Sequence, residues 1–191
     1  LVFSGAPVDP SATPITLGEG WNWLGFTPQN DGPIGDALAS ATTTEGDFIK
    51  NQGGSSTYYA SFGWYGGLDA MAPTEGYMLD VAEASTFTYP NFAADDWIDD
   101  DLSREKVEKD MPVAISNWEV DYHDYEFNGH ITMSIDSREG SYGDYIAAFV
   151  GDECRGVAER MYFPFGDSYM YSVMVYSNVA EGEKLTFKYY I

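Results

Sequence analysis

Apolar and polar residues alternate with a period of two along most of this chain. In His130-Ile-Thr-Met-Ser-Ile135, the residues Ile131, Met133 and Ile135 fall on one side of an extended backbone, because successive strand side chains point to opposite faces. Tyr169, Tyr171, Val173 and Val175 repeat the pattern, as do Leu185, Phe187 and Tyr189. Trp21-Asn-Trp-Leu-Gly-Phe26 alternates too, and its apolar side places Trp21 and Trp23 together in a core. Asp47–Lys50, Ser56–Ala60 and Gly76–Asp80 also have strand character. Turn signals such as Asn128-Gly129 and Glu181-Gly182 cut the runs. The best helix, a short one, covers Pro33–Ser40. This pattern predicts an all-β fold with a minor helix, built as two small antiparallel β-sandwich-like modules in tandem.

Composition divides the chain further. Pro7, Pro10 and Pro14 lie among Ser and Thr, so residues 1–14 read as the end of a preceding domain and a linker. A Trp/Gly-rich module follows over 15–90, then an acidic connector over 91–110 with a helical turn near Leu102–Val107. The second sandwich module spans 111–191. The two modules show no self-similarity. The strand-like ends, Leu-Val-Phe and Phe187-Lys-Tyr-Tyr-Ile191, suggest a segment of a longer polypeptide.

Charge narrows the function classes. The sequence holds 31 acids against 9 bases, a formal net charge of −22. Such a surface repels a polyanionic backbone, which argues against nucleic-acid binding. No apolar run approaches membrane-spanning length. Two readings of the acids stay open: a solubilising, salt-adapted surface, or a structural Ca²⁺ site, since Ca²⁺ takes clustered carboxylates. The cation candidates are Asp95, Asp96, Asp99, Asp100 and Asp101 in the connector. A second set is Asp136, Asp144 and Asp152 with Glu153, which would gather at one end of the second sandwich.

Signals for catalysis are sparse. No phosphate-binding Gly loop, His-Glu-x-x-His or Gly-x-Ser-x-Gly motif occurs. Cys154, the lone cysteine, lies in an alternating run and reads as a buried strand thiol. His123 and His130 are seven apart and share no side of one strand. With 31 acids, no carboxylate pair is singled out for glycoside hydrolysis. The aromatics offer more. Trp64 and Tyr65 lie between glycines and read as the exposed pair, with Tyr58 and Tyr59 beside them. They suit protein contact or the stacking of sugar rings.

Longer motifs carry a resemblance. The first module contains Gly20-Trp-Asn-Trp23, Ala37-Leu38, Gly46-Asp-Phe-Ile-Lys50, Gly63-Trp-Tyr-Gly66 and Pro73-Thr-Glu-Gly-Tyr-Met-Leu79. The second contains Gly151-Asp-Glu-Cys-Arg-Gly-Val-Ala158, Met174-Val-Tyr-Ser-Asn178 and Gly182-Glu-Lys-Leu-Thr-Phe187. Over about residues 17–191 the chain resembles the tandem β-modules of large secreted cell-surface proteins of Bacteroidetes-type bacteria, exported by the type IX, gliding-associated route. It departs from the Pro-Gly-x-Gly form of one motif at Thr74 and Glu75. The resemblance implies an extracellular, non-enzymatic structural or adhesive segment, a building block of a surface fibre or appendage. Its partners would be neighbouring modules of the same polypeptide and copies of itself in an oligomer or filament. The alternative is a carbohydrate-binding module that meets cell-surface glycans through exposed aromatics. No catalytic residues are carried over.

Overall fold

Strand alternation meets a different partner in each half of the chain, and two compact units result, Leu1–Glu105 and Lys106–Ile191. The computed structural model describes residues 8–93, 112–135, 143–163 and 168–191. The fold is all-β with one minor helix, and its sheets are antiparallel.

In the first unit the strands are β1 (Ile15–Leu17), β2 (Gly20–Gly25), β3 (Gly32–Pro33), β4 (Phe48–Lys50), β5 (Ser55–Tyr59), β6 (Gly63–Gly66), β7 (Ala70–Met71), β8 (Gly76–Val81) and β9 (Ser85–Phe87). Five of them form one sheet in the order β2-β8-β4-β5-β6, and β1-β9 and β3-β7 form two small ladders. Leu24, Ile49, Tyr77, Leu79 and Val81 point from one face of the large sheet into a core with Phe26, Ile34, Leu38, Met71, Phe87 and Tyr89. The helix α1 (Ile34–Ala37) is a single turn rather than the longer helix of the sequence reading. It has no side-chain cap, and Ser40 exchanges hydrogen bonds with the Thr88 backbone at 2.8 and 3.0 Å instead of extending it.

The entry to this unit is tied down. Asp9 caps a 3-10 turn at Pro10–Ala12 and accepts a hydrogen bond from Asn91 at 2.8 Å. Pro10 is buried.

The second unit contains β10 (Phe127–Met133), β11 (Tyr145–Val150), β12 (Glu153–Glu159), β13 (Met161–Phe163), β14 (Ser168–Ser177) and β15 (Thr186–Tyr190). They form two three-stranded sheets, β10-β14-β13 and β12-β11-β15. Between the sheets lie Ile131, Met133, Ile135, Ile146, Ala148, Tyr171, Val173, Val175, Leu185 and Tyr189. Phe187 leaves this set and is exposed. The other face of β11 is covered as well: Tyr145, Ala147 and Phe149 pack with Ile115, Trp118 and Cys154. This double burial explains the unbroken apolar run Tyr145–Val150, which needs no polar alternation.

Asn128-Gly129 is not a turn. It lies inside β10, which pairs with β14 over all seven residues from Phe127 to Met133. The alternation of Ile131 and Met133 fixes that register and overrides the local turn preference. Residues 94–110 of the acidic connector, with its expected helical turn, lie outside the described residues.

Candidate functional site

The two tryptophans of Gly20-Trp-Asn-Trp23 stand in solvent, Trp21 49% and Trp23 80% exposed, which overturns their assignment to the core. The cause is parity. Gly20 takes φ +85° and turns the chain into β2. Asn22 then locks the turn: its Oδ1 accepts from the Gly18 amide at 2.9 Å, and its Nδ2 donates to the Gly18 and Gly20 carbonyls at 2.8 Å. Asn22 and buried Leu24 therefore take the inner side, and Trp21 and Trp23 the outer. Both alternating sets, Trp/Trp and Asn/Leu, are compatible with a strand, so the period alone left the side undetermined.

Registers place a defined row on that outer face. Trp21 lies opposite Asp80, Asp80 opposite Phe48, Phe48 opposite Thr57, and Thr57 opposite Tyr65. Aromatic and hydrogen-bonding residues thus alternate across all five strands. The neighbouring row runs Trp23, Met78, Lys50, Ser55. The Trp21 and Phe48 rings meet edge to face with centroids 6.2 Å apart, and the Lys50 ammonium sits 5.5 Å from the Trp21 centroid. Burial holds the Lys50 amine below its ordinary pKa.

The aromatics singled out by sequence are split between the two faces. Tyr58 and Trp64 pair across β5 and β6 with centroids 5.5 Å apart, and Trp64 packs against the core. Trp64 and Tyr65 are both half-buried, so they are not the exposed pair; of the glycines that flank them, Gly63 takes φ +86° in the turn and Gly66 serves close packing. A Cβ on Gly66 would come within 2.2 Å of the Ser55 carbonyl oxygen. Tyr59 and Tyr65 belong to the outer face with Thr57. Burial, then the charge of Glu45, raises the Tyr59 hydroxyl pKa.

The acids of the cation reading do not assemble among the described residues. Asp95, Asp96, Asp99, Asp100, Asp101 and Asp136 lie outside them. Asp144 is 2% exposed and accepts a hydrogen bond from the Tyr189 hydroxyl at 2.7 Å. Asp144 precedes the six-residue β11 and Asp152 follows it, so on the order of 20 Å of strand separates them. They cannot gather at one end. Asp152 is exposed in its turn. Among the described residues, no group of three or more His, Cys, Asp or Glu side chains converges as metal ligands do.

Glu153 joins a different arrangement. A bulge in β12 leaves Arg155 unmatched between Cys154, opposite Phe149, and Gly156, opposite Ala148. The extra residue turns the guanidinium inward. Its Nη1 donates to the Tyr176 carbonyl at 3.2 Å and to Glu183 at 3.3 Å, and its Nη2 lies 3.3 Å from Glu153. Tyr125 packs its ring 5.0 Å from the same guanidinium and donates its hydroxyl to Glu153 at 2.6 Å. That hydroxyl is pushed up to about 12, first by desolvation and then by Glu153. One guanidinium thus ties two carboxylates and a backbone carbonyl together, which suits a structural clasp.

The remaining nucleophile candidates are also occupied. Cys154 is buried, and burial pushes its thiol up from its ordinary pKa, away from the reactive thiolate. His130 Nε2 lies 2.8 Å from Ser172 Oγ across β10 and β14. His123 belongs to the 3-10 turn Tyr122–Asp124, its ring against Tyr122. Among the described residues no helix is long and apolar enough to cross a membrane.

Comparison with family models, with curated proteins and with solved structures gives no match. The outer face of the five-stranded sheet is the candidate functional site.

Proposed function

We propose that this chain is a non-enzymatic structural and adhesive segment of a large extracellular surface protein, a building block of an adhesive fibre or appendage. The observation that carries this reading is the display of Trp21 and Trp23 on the outer face of the first unit. Large exposed aromatic surface is a solubility liability unless it makes contacts, so its presence on a paired sheet points to binding. The sheet supports the role. Backbone pairing fixes where each ring stands, and Trp and Tyr supply contact area while losing few rotamers. The strongly acidic composition keeps copies at high local density soluble. The motif resemblance supports the extracellular location and the tandem setting.

Two measurements test the proposal together. Antibody raised against the chain should label intact, unpermeabilised cells of the producing organism. Beads coated with the chain should resist washing from those cells far better than albumin-coated beads. Label that appears only after permeabilisation, or beads that wash off like the albumin controls, would overturn it.

A further inference from the structure

We infer that the outer face of the five-stranded sheet binds a neutral polysaccharide, laid across the strands over the row Trp21, Asp80, Phe48, Thr57, Tyr65. The inference rests on the adhesive reading above and names what the adhesive face holds.

Aromatic and polar positions alternate along the row. Neighbouring strands lie about 4.8 Å apart, so a chain crossing them meets an aromatic position at every second strand, about 9.6 Å on. A carboxylate at Asp80 or a hydroxyl at Thr57 stands between. An extended glycan has the matching construction: apolar C–H ring faces separated by hydroxyl rims that need hydrogen-bond partners. A protein partner of ordinary apolar chemistry would desolvate the Asp80 carboxylate without offering it such a donor.

Trp21 and Phe48 stand closer together, at 6.2 Å, than two strand spacings. Their planes stand at 88°, so one ring braces the other edge to face and holds the Trp21 ring in place. The Lys50 ammonium lies 5.5 Å from the Trp21 centroid. Trp23, at 80% exposure, adds a second stacking ring along β2. It stands about 6.8 Å from Trp21, two residues along the strand.

Charge selects among occupants. A second copy of this chain would bring another net charge of −22 against the face, and an anionic polysaccharide meets the same repulsion. A neutral polymer does not.

The test uses the whole chain in native affinity electrophoresis, through gels holding hydroxyethyl cellulose, laminarin or galactomannan, with alginate as the anionic control. We expect retardation by at least one neutral polymer and none by alginate. Trp21→Ala and Trp23→Ala should each weaken retardation at least tenfold while the melting temperature holds. Phe62→Ala, a change at a 60% exposed ring in the β5–β6 turn outside the row, should leave retardation unchanged. Migration unaffected by all three neutral polymers overturns the inference. So does retardation that survives both tryptophan changes, or that only alginate produces. Light scattering covers the remaining occupant: a dimer that Trp23→Ala dissolves assigns the face to a second copy and also overturns it. Surface labelling of intact cells is independent of every sugar, so a glycan failure with labelling intact leaves the adhesive reading standing.

Discussion

Thr74 is the residue whose backbone is out of keeping with its side chain. Glu75 N–H bonds to the Ala72 carbonyl at 3.4 Å, and Thr74 takes φ +73°, so Pro73-Thr74 fills the centre of a turn that favours Gly in its second place. A β-branched residue there is strained by roughly 1–2 kcal/mol. Thr74→Gly should therefore raise stability by about 0.5–1 kcal/mol, after the extra freedom that Gly gives the unfolded chain is subtracted. A denaturant midpoint that falls would show the turn to be relaxed. Next to it, Tyr77 donates to Glu75 at 2.9 Å and accepts from the Ala72 amide at 2.7 Å. Desolvation above all, with Glu75 adding to it, pushes its hydroxyl up to about 12 from an ordinary value of 10.0. The unfolded chain ionises first as pH rises, so the stability this raised pKa represents is intact below about pH 10 and is lost between there and about pH 12. Unfolding free energy followed through that window should fall more steeply for the parent chain than for Tyr77→Phe.

At the scale of elements, the period-two pattern was a good guide to where strands lie and a poor one to which way they face. Ile131 and Met133 face the core because the alternate positions of β10, Asn128, His130 and Thr132, are polar; β14 is apolar on both sides, and Met174 and Tyr176 are buried as well as Tyr171, Val173 and Val175. β2 offered two acceptable sets, and the hydrogen bonds of Asn22 decided between them. Of the aromatics the sequence offered, Tyr65 shares the outer face with Trp21, and Trp64 packs against the core. Close approaches between strands were equally hidden. A Cβ on Gly156 would lie 2.0 Å from the Met174 carbonyl oxygen, because β12 passes directly over β14 beside the Arg155 bulge. Nothing in Cys-Arg-Gly-Val distinguishes this glycine from one in an ordinary turn. Gly156→Ala should cost about 3 kcal/mol or more, measured by chemical unfolding. Gly129→Ala, where no atom lies within 4 Å of the added carbon, should leave stability nearly unchanged. Equal losses at the two sites would show that the strands do not cross so closely.

For the whole molecule, the excess of acids over bases sets how the fold responds to its medium. Unscreened repulsion acts across the entire surface at roughly 10 mM salt, where the screening length is about 30 Å, and is nearly removed at about 1 M. The melting temperature should rise by about 3–6 °C between these limits, as a gain near 1 kcal/mol would produce. A flat response would mean that the carboxylates are already spaced or neutralised in the folded state. The second unit is organised around β11, which has a paired strand on either edge and side chains packed against both faces. Water can reach its amides only when one of those layers opens. In deuterium exchange of the native protein, the amides of Tyr145–Val150 should be the slowest of this unit. Their opening free energy should equal that of global unfolding, while edge strands such as β13 exchange through smaller local openings.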